Sequence, residues 1–436
     1  MKYLAPDYIY TPQGIERNML VTITDEGCIA TLERQNSEVL QTLSADRLTH
    51  LPNMLLLPGF VNAHSHVFQR ALRGRTHRPL AEHDSFWTWR QAVYAEAQRL
   101  TPDSLYESAL RTYREMLSAG YTTVGEFHYI HHQPNGQPYD NPNAMSEAVL
   151  AAGRDAGMRV VLLLTAYAQS GFHHQPPEEG QRRFCDASVD AYLQRVEDLR
   201  VKGVAIGVAP HSVRAVPEDW FRAIAAYSRT HNIPLHVHAD EQLAEIEQCQ
   251  ATYGCTPIEL LERFGVLGPL TTIIHATHAN ETELALLAKH NCTVCVCPTT
   301  EGDLGDGIAP YDEFMKKDIL LAIGSDSNTR LDPIEELRWA EYTARMRYRR
   351  RRVLVCEQLA SPGPLLLDIG THGGAVALGQ ETGILAPGML ADFVAIDLNH
   401  PSLYGRTEDD VLDVLFFGAS SDVIKHIWLQ GQKTDA

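Results

Sequence analysis

The chain lacks any apolar run near the ~18 residues that would mark a membrane-spanning helix. It shows no secretory leader pattern either, because Met1-Lys2-Tyr3 leads straight into a strand-like segment. Positive charge is scarce: 37 Lys and Arg against 55 Asp and Glu leave a net charge of −18. That balance argues against nucleic acid and membrane surfaces as partners. An anionic substrate would therefore need arginines placed at the site itself. Cysteines number 8 and are scattered apart from Cys292, Cys295 and Cys297, with no second cluster to complete a zinc-type spacing. Cys295 and Cys297 alternate within an apolar run and read as buried thiols, which suits a reducing cytoplasm. A Gly-x-Ser-x-Gly elbow, a P-loop and a dinucleotide fingerprint are all missing.

What is present is a repeated alternation. Short apolar runs recur at Leu55–Asn62, Tyr121–Tyr129, Arg159–Tyr167, Val204–His211, Ile233–Ala239, Thr271–His278, Cys292–Thr299 and Ile319–Ser325. Between them lie amphipathic stretches such as Asp103–Ser118, Met145–Ala156, Val189–Leu199, Glu218–Thr230 and Glu281–His290. Near-continuous apolar strands separated by helices mean a parallel sheet covered on both faces. Eight such units predict a closed (β/α)8 barrel over residues 58–383. Residues 1–57 and 384–436 alternate apolar and polar instead, so the two termini together predict one small β-sandwich domain, since neither half buries much core alone. The one basic run, Arg345–Arg352, reads as the continuation of the helix Pro333–Ala344, an ion-paired and solvated face.

Chemistry concentrates where strands end. His64 and His66 close the first run two residues apart, so on a strand both rings look the same way. The later runs end in His211, in His236 and His238 followed by Glu241, in His275 and His278, and in Asp326. In a barrel these strand ends share one rim. His64, His66, His238 and Asp326 would give three nitrogens and one oxygen, a donor set that fits one Zn²⁺ with water in an open position; Fe²⁺ fits the same donors. No lysine follows Lys202 in the fourth run, so no bridging group for a second ion is expected there. A Lewis acid lowers the pKa of water toward neutrality. Asp326 could take a proton from that water, Glu241 move protons to a leaving group, and His275 hydrogen-bond the developing tetrahedral centre.

These residues resemble the amidohydrolase superfamily, through Pro58-Gly59-Phe60-Val61-Asn62-Ala63-His64-Ser65-His66, His238 with Glu241, His275, and Gly324-Ser325-Asp326. Within it the chain is similar to the formimidoylglutamate deiminases, through His64–Arg70, Asp84–Arg90, Glu126–Tyr129, Glu179–Phe184, His211–Val216 and Leu304–Ile308. The resemblance implies zinc on His64, His66, His238 and Asp326, with Glu241 and His275 catalytic. It also implies that Gln69, Arg90, Tyr129, His211 and Arg214 hold a small dicarboxylate, N-formimino-L-glutamate, whose hydrolytic deimination belongs to histidine degradation. Arginine forks suit carboxylates. One position departs from the pattern: Asn328 stands where the family usually shows histidine, and an amide carries no proton at neutral pH. Such barrels often pair, so a homodimer is the expected assembly. A deaminase of purine, pyrimidine or triazine rings would use the same metal set, and a catalytically dead barrel would serve only as a binding module.

Overall fold

The computed structural model describes residues 1–77, 85–173, 175–355 and 360–434. Asp84, the first residue of one stretch that carries the resemblance, lies outside the described residues.

The apolar runs form an 8-stranded sheet in which every neighbouring pair is parallel. Its strands are β1 (Phe60–Ser65), β2 (Tyr121–His128), β3 (Arg159–Ala166), β4 (Ile206–Pro210), β5 (Leu235–Ala239), β6 (Thr271–His275), β7 (Thr293–Val296) and β8 (Leu321–Ile323). The sheet closes on itself just past β8, where Ser65 bridges Asp326 in parallel. Asp326 N donates to His64 O at 3.0 Å, and His66 N donates to Asp326 O at 2.9 Å. The backbone that completes the ring thus belongs to the residues singled out as ligands. At the other end the glycines Gly373 and Gly374 let a helix approach the starts of β8 and β1, where a Cβ would strike Leu321 O and the Val61 side chain.

The termini build a second, mixed sheet of 8 strands. Leu48–Pro58 runs through its middle, parallel to Lys2–Thr11 and antiparallel to Phe393–Asp397. This splits the run expected as a single strand over Leu55–Asn62. Leu48–Pro58 joins the terminal sheet, and the barrel strand begins only at Phe60. The break is physical: Pro58 offers no N–H, and a Cβ at Gly59 would collide with the Thr122 side chain. Alternation explains why Leu55–Leu57 is apolar throughout. Leu55 and Leu57 join the large barrel core, while Leu56 joins the smaller core of Leu4, Ile9, Val21, Phe393 and Trp428.

The C-terminal segment is not strand alone: Val411–Gly418 is a helix whose Leu415 and Phe416 enter the barrel core. A buried ion pair ties sheet to barrel. Arg159 on β3 meets Asp392, whose carboxylate also accepts from Thr382 Oγ1 at 2.8 Å and Gln430 N at 2.8 Å. The helix carrying the basic run stops at Tyr348, with Arg349 left-handed at φ 49°. Only part of the run is ion-paired: Arg345 Nε donates to Glu341 Oε1 at 2.8 Å and Arg350 meets Asp312, whereas Arg347 and Arg352 donate to the carbonyls of Ile308 and Ala360. No helix among the described residues is long and apolar enough to cross a membrane.

Candidate active site

His64, His66, His238 and Asp326, all buried, place one donor atom each within 4.8 Å of the others. His64 Nε2 lies 3.2 Å and His66 Nε2 3.3 Å from Asp326 Oδ1, and His238 Nε2 lies 3.1 Å from His64 Nε2. Partners behind the rings fix their tautomers. His66 Nδ1 is 2.8 Å from Phe127 O, and His238 Nδ1 is 3.1 Å from His211 O. A carbonyl only accepts, so Nδ1 carries the proton in both rings and Nε2 presents a bare lone pair inward. Two lone pairs and a carboxylate aimed at one point repel unless a cation sits between them. The donor set therefore fits a divalent ion, with Nε2 and carboxylate ligands of the kind zinc takes. Burial pushes the His64 ring down to about 3, so it too is a neutral donor. His236 is set apart: its Nε2 meets Ala377 O at 2.8 Å, deeper in the barrel.

Beside this corner lies an acid–base cluster. His275 Nδ1 faces Glu301 Oε1 at 3.3 Å, while its Nε2 faces Glu241 Oε1 at 3.6 Å and Asp326 Oδ2 at 3.8 Å. Glu301 is fixed in turn, because its Oε1 accepts from Cys297 N at 2.8 Å. Burial pushes the Glu241 carboxyl up to about 7, against the pull of His275. Glu241 caps no helix; the helix Leu243–Tyr253 starts after Gln242. His275 (φ 74°) and Asp326 (φ 42°) both hold left-handed backbone, a conformation that non-glycine residues keep only where surroundings enforce it.

The opposite wall of the same pocket is cationic. His66, Gln69, Arg90, Tyr129, His211, Arg214, His238, Glu241, His275 and Asp326 line one cavity, with His64 directly behind. Trp87 and Arg90 sit three residues apart on the helix Phe86–Ala97 and so share a face. The Arg90 guanidinium lies 4.5 Å from the Trp87 ring, and that of Arg214, on the loop after β4, lies 5.9 Å from it. Nε and Nη1 of both arginines are buried without a hydrogen-bond partner among the described residues. Leaving charged donors buried and unpaired is costly, so an anion could be held at this wall. Gln69 Nε2 donates to Tyr129 OH at 3.0 Å, and Gln69 Oε1 is left open. The His211 ring packs against Tyr167 and Tyr129.

Sequence reasoning did not single out Trp87, Tyr94, Tyr167 or Gln181. Gln181 Nε2 donates to Tyr94 OH at 3.1 Å and Tyr167 OH at 2.9 Å, which props the aromatic side of the cavity. Trp87 and Gln181 lie inside stretches that carry the resemblance, but aromatics and amides leave no spacing signal of their own. Asn328 lies behind the ligands rather than in the cavity. Its Nδ2 donates to Ser65 Oγ at 3.1 Å and its Oδ1 accepts from Ser325 Oγ at 2.5 Å, stitching β1 to the end of β8. Its φ of 57° is one that asparagine tolerates well.

Comparison with known proteins agrees with this architecture. A family model described as "Amidohydrolase family" matches residues 55–434. The formimidoylglutamate deiminase of Pseudomonas aeruginosa is 37% identical over 97% of this chain and 92% of its own length. A 5-methylthioadenosine/S-adenosylhomocysteine deaminase of Pelotomaculum thermopropionicum is 25% identical over 97% of this chain and 89% of its own. Among solved structures, an amidohydrolase from Brucella melitensis superposes with a TM-score of 0.91 at 34% identity, covering 99% of this chain and 94% of that one. An adenosine deaminase from Xanthomonas campestris with bound zinc reaches 0.82 at 22% identity over 99% and 92%, a likeness of fold alone. Since the match runs through the whole barrel and back into the terminal sheet, the chain belongs to the amidohydrolase family.

Proposed function

We propose that this amidohydrolase-family hydrolase releases ammonia from N-formimino-L-glutamate, leaving N-formyl-L-glutamate, with zinc as its resident ion. The observation that carries the reading is that Arg90 and Arg214, with Nε and Nη1 buried and unpartnered among the described residues, face an acidic corner across one cavity. That polarity matches a substrate with carboxylates at one end and a cationic amidine at the other. A divalent ion on His64, His66, His238 and Asp326 would supply Lewis acidity and bring water toward deprotonation at neutral pH. The relative that is 37% identical carries this activity in its name.

The chain's own groups then divide the work. Arg90 and Arg214 hold carboxylates in forked hydrogen bonds, with Gln69, Tyr129 and His211 along the same wall. Asp326 takes up the proton that the attacking water gives off. His275 Nε2, facing both Asp326 and Glu241, hydrogen-bonds the tetrahedral centre. Glu241 carries a proton to the departing nitrogen, so the C–N bond breaks to ammonia while the water oxygen becomes the formyl oxygen. A carboxyl held at about 7 is well matched to such a transfer at neutral pH.

The test is ammonia release from N-formimino-L-glutamate, adenosine and 5′-methylthioadenosine with one equivalent of Zn²⁺. Turnover of the formimino acid above both nucleosides is expected. Turnover of a nucleoside with none of the formimino acid would overturn the assignment.

A further inference from the structure

The geometry points to a second cation position beside the first, formed by Cys297 Sγ, His275 Nε2 and Asp326 Oδ2, which takes a thiophilic divalent ion and silences the enzyme. Cys297, His275 and Asp326 are all buried and bring one donor atom each within 4.8 Å of one another. His275 Nδ1 is engaged by Glu301, so Nε2 is the nitrogen that faces the position, and an ion there displaces the proton that Nε2 otherwise carries. That Nε2 is buried without a hydrogen-bond partner among the described residues, with Glu241 Oε1 at 3.6 Å and Asp326 Oδ2 at 3.8 Å. Separations of this order are those of ligands around one tetrahedral ion.

Two further features favour an ion there. His275 is ringed by carboxylates: Glu301 at 3.3 Å, Glu241 at 3.6 Å and Asp326 at 3.8 Å. Such a ring attracts positive charge. Gly324 also leaves the sulfur clear. A Cβ at that position would stand 3.1 Å from Cys297 Sγ and 2.7 Å from His64 Cβ. Thiolate, imidazole and carboxylate together select zinc-like, sulfur-seeking ions over magnesium or calcium. Asp326 would bridge, with Oδ1 toward the first position and Oδ2 toward the second. On binding, the thiol proton leaves to solvent, and the ion occupies the edge of His275 and Asp326 that the reaction needs for proton transfer. Excess zinc or cadmium would thus act as an inhibitor by a route independent of the substrate wall.

The inference rests on the cation reading of the first corner and not on the identity of the substrate. Its test loads the protein with one equivalent of Zn²⁺ and titrates Cd²⁺, reading metal stoichiometry by equilibrium dialysis, thiolate-to-cadmium charge-transfer absorption, and ammonia release. One added Cd²⁺ per chain with retained zinc is expected, together with the sulfur band. Activity should fall about a hundredfold, the scale of a lost acid–base group. Cys297→Ser should lose the band and the second equivalent yet keep its activity in cadmium, whereas Cys295→Ser should behave as the parent. Cys297→Ala, which matches the neighbouring Ala63 and Ala322 in size, serves if the serine variant fails to fold. Cadmium uptake without a sulfur band, loss of zinc in place of an added ion, or full inhibition of a folded Cys297 variant would each overturn the assignment. Stoichiometry and spectrum decide it even if formimino acids prove not to be substrates.

Discussion

The two ends of the cavity are built on opposite principles. At the candidate metal corner the ligand residues are held in place: the His66 and His238 rings by carbonyls, the Asp326 carboxylate by imidazoles, and the ligand backbone by the hydrogen bonds that close the barrel. At the arginine wall, guanidiniums stack on Trp87 but leave buried N–H groups unanswered. The first end is complete except for an ion, and the second except for an anionic ligand. On the proposed function, a pocket so divided would orient the substrate before chemistry begins, because a reversed dicarboxylate would set its carboxylates against Glu241 and Asp326.

Replacing Glu241 with glutamine attacks the reactive end and has the largest expected effect. kcat should fall by about 10²–10⁴-fold, as for other lost acid–base groups, with KM nearly unchanged. Arg214→Ala attacks the other end and should do the reverse, costing roughly 2–5 kcal/mol of binding, read as a raised KM with kcat largely held. A monocarboxylate analogue should suffer less than the dicarboxylate, and equal losses for both would erase the distinction between the ends. Asp392→Ala touches neither end. By stranding Arg159 in the junction of sheet and barrel it should lower unfolding stability by about 3–5 kcal/mol in urea titrations, with KM unchanged.

The smallest effect is a pH slope. Burial pushes Glu126, behind the metal corner, up to about 8, whereas the unfolded chain releases that proton near the ordinary 4.5. The folded state therefore binds more protons between those values, so this group's stabilisation is full in acid and is lost as pH rises toward and through about 8. Glu126→Gln should flatten the decline of unfolding temperature from about pH 5 to about pH 8. An unchanged slope would mean that Ser65 Oγ and Val67 N hold the carboxylate ionised.

The barrel strands were legible because a parallel sheet buried on both faces leaves short apolar runs with helices between them. The run over Leu55–Asn62 misled because burial between two different cores looks the same in one dimension as burial inside one barrel. That the candidate ligands would come together was legible because strand ends in a barrel share a rim and His64-x-His66 sets two rings on one face. Trp87, Tyr94, Tyr167 and Gln181 were not, since Gln181 meets Tyr94 across 87 residues, Tyr94 meets Tyr167 across 73, and Trp87 meets Arg214 only once the loop after β4 folds over the cavity.

Residue types and their strand-end spacing determined by themselves which side chains could bind an ion and which could move protons. Only the closed chain decided that Asp326 meets His64 and His66, that Cys297 lies beside His275, and that two arginines share one indole while their Nε and Nη1 find no hydrogen-bond partner among the described residues. The reason is range: periodicity and donor chemistry are local properties, whereas the approach of distant segments depends on how the whole barrel closes and packs.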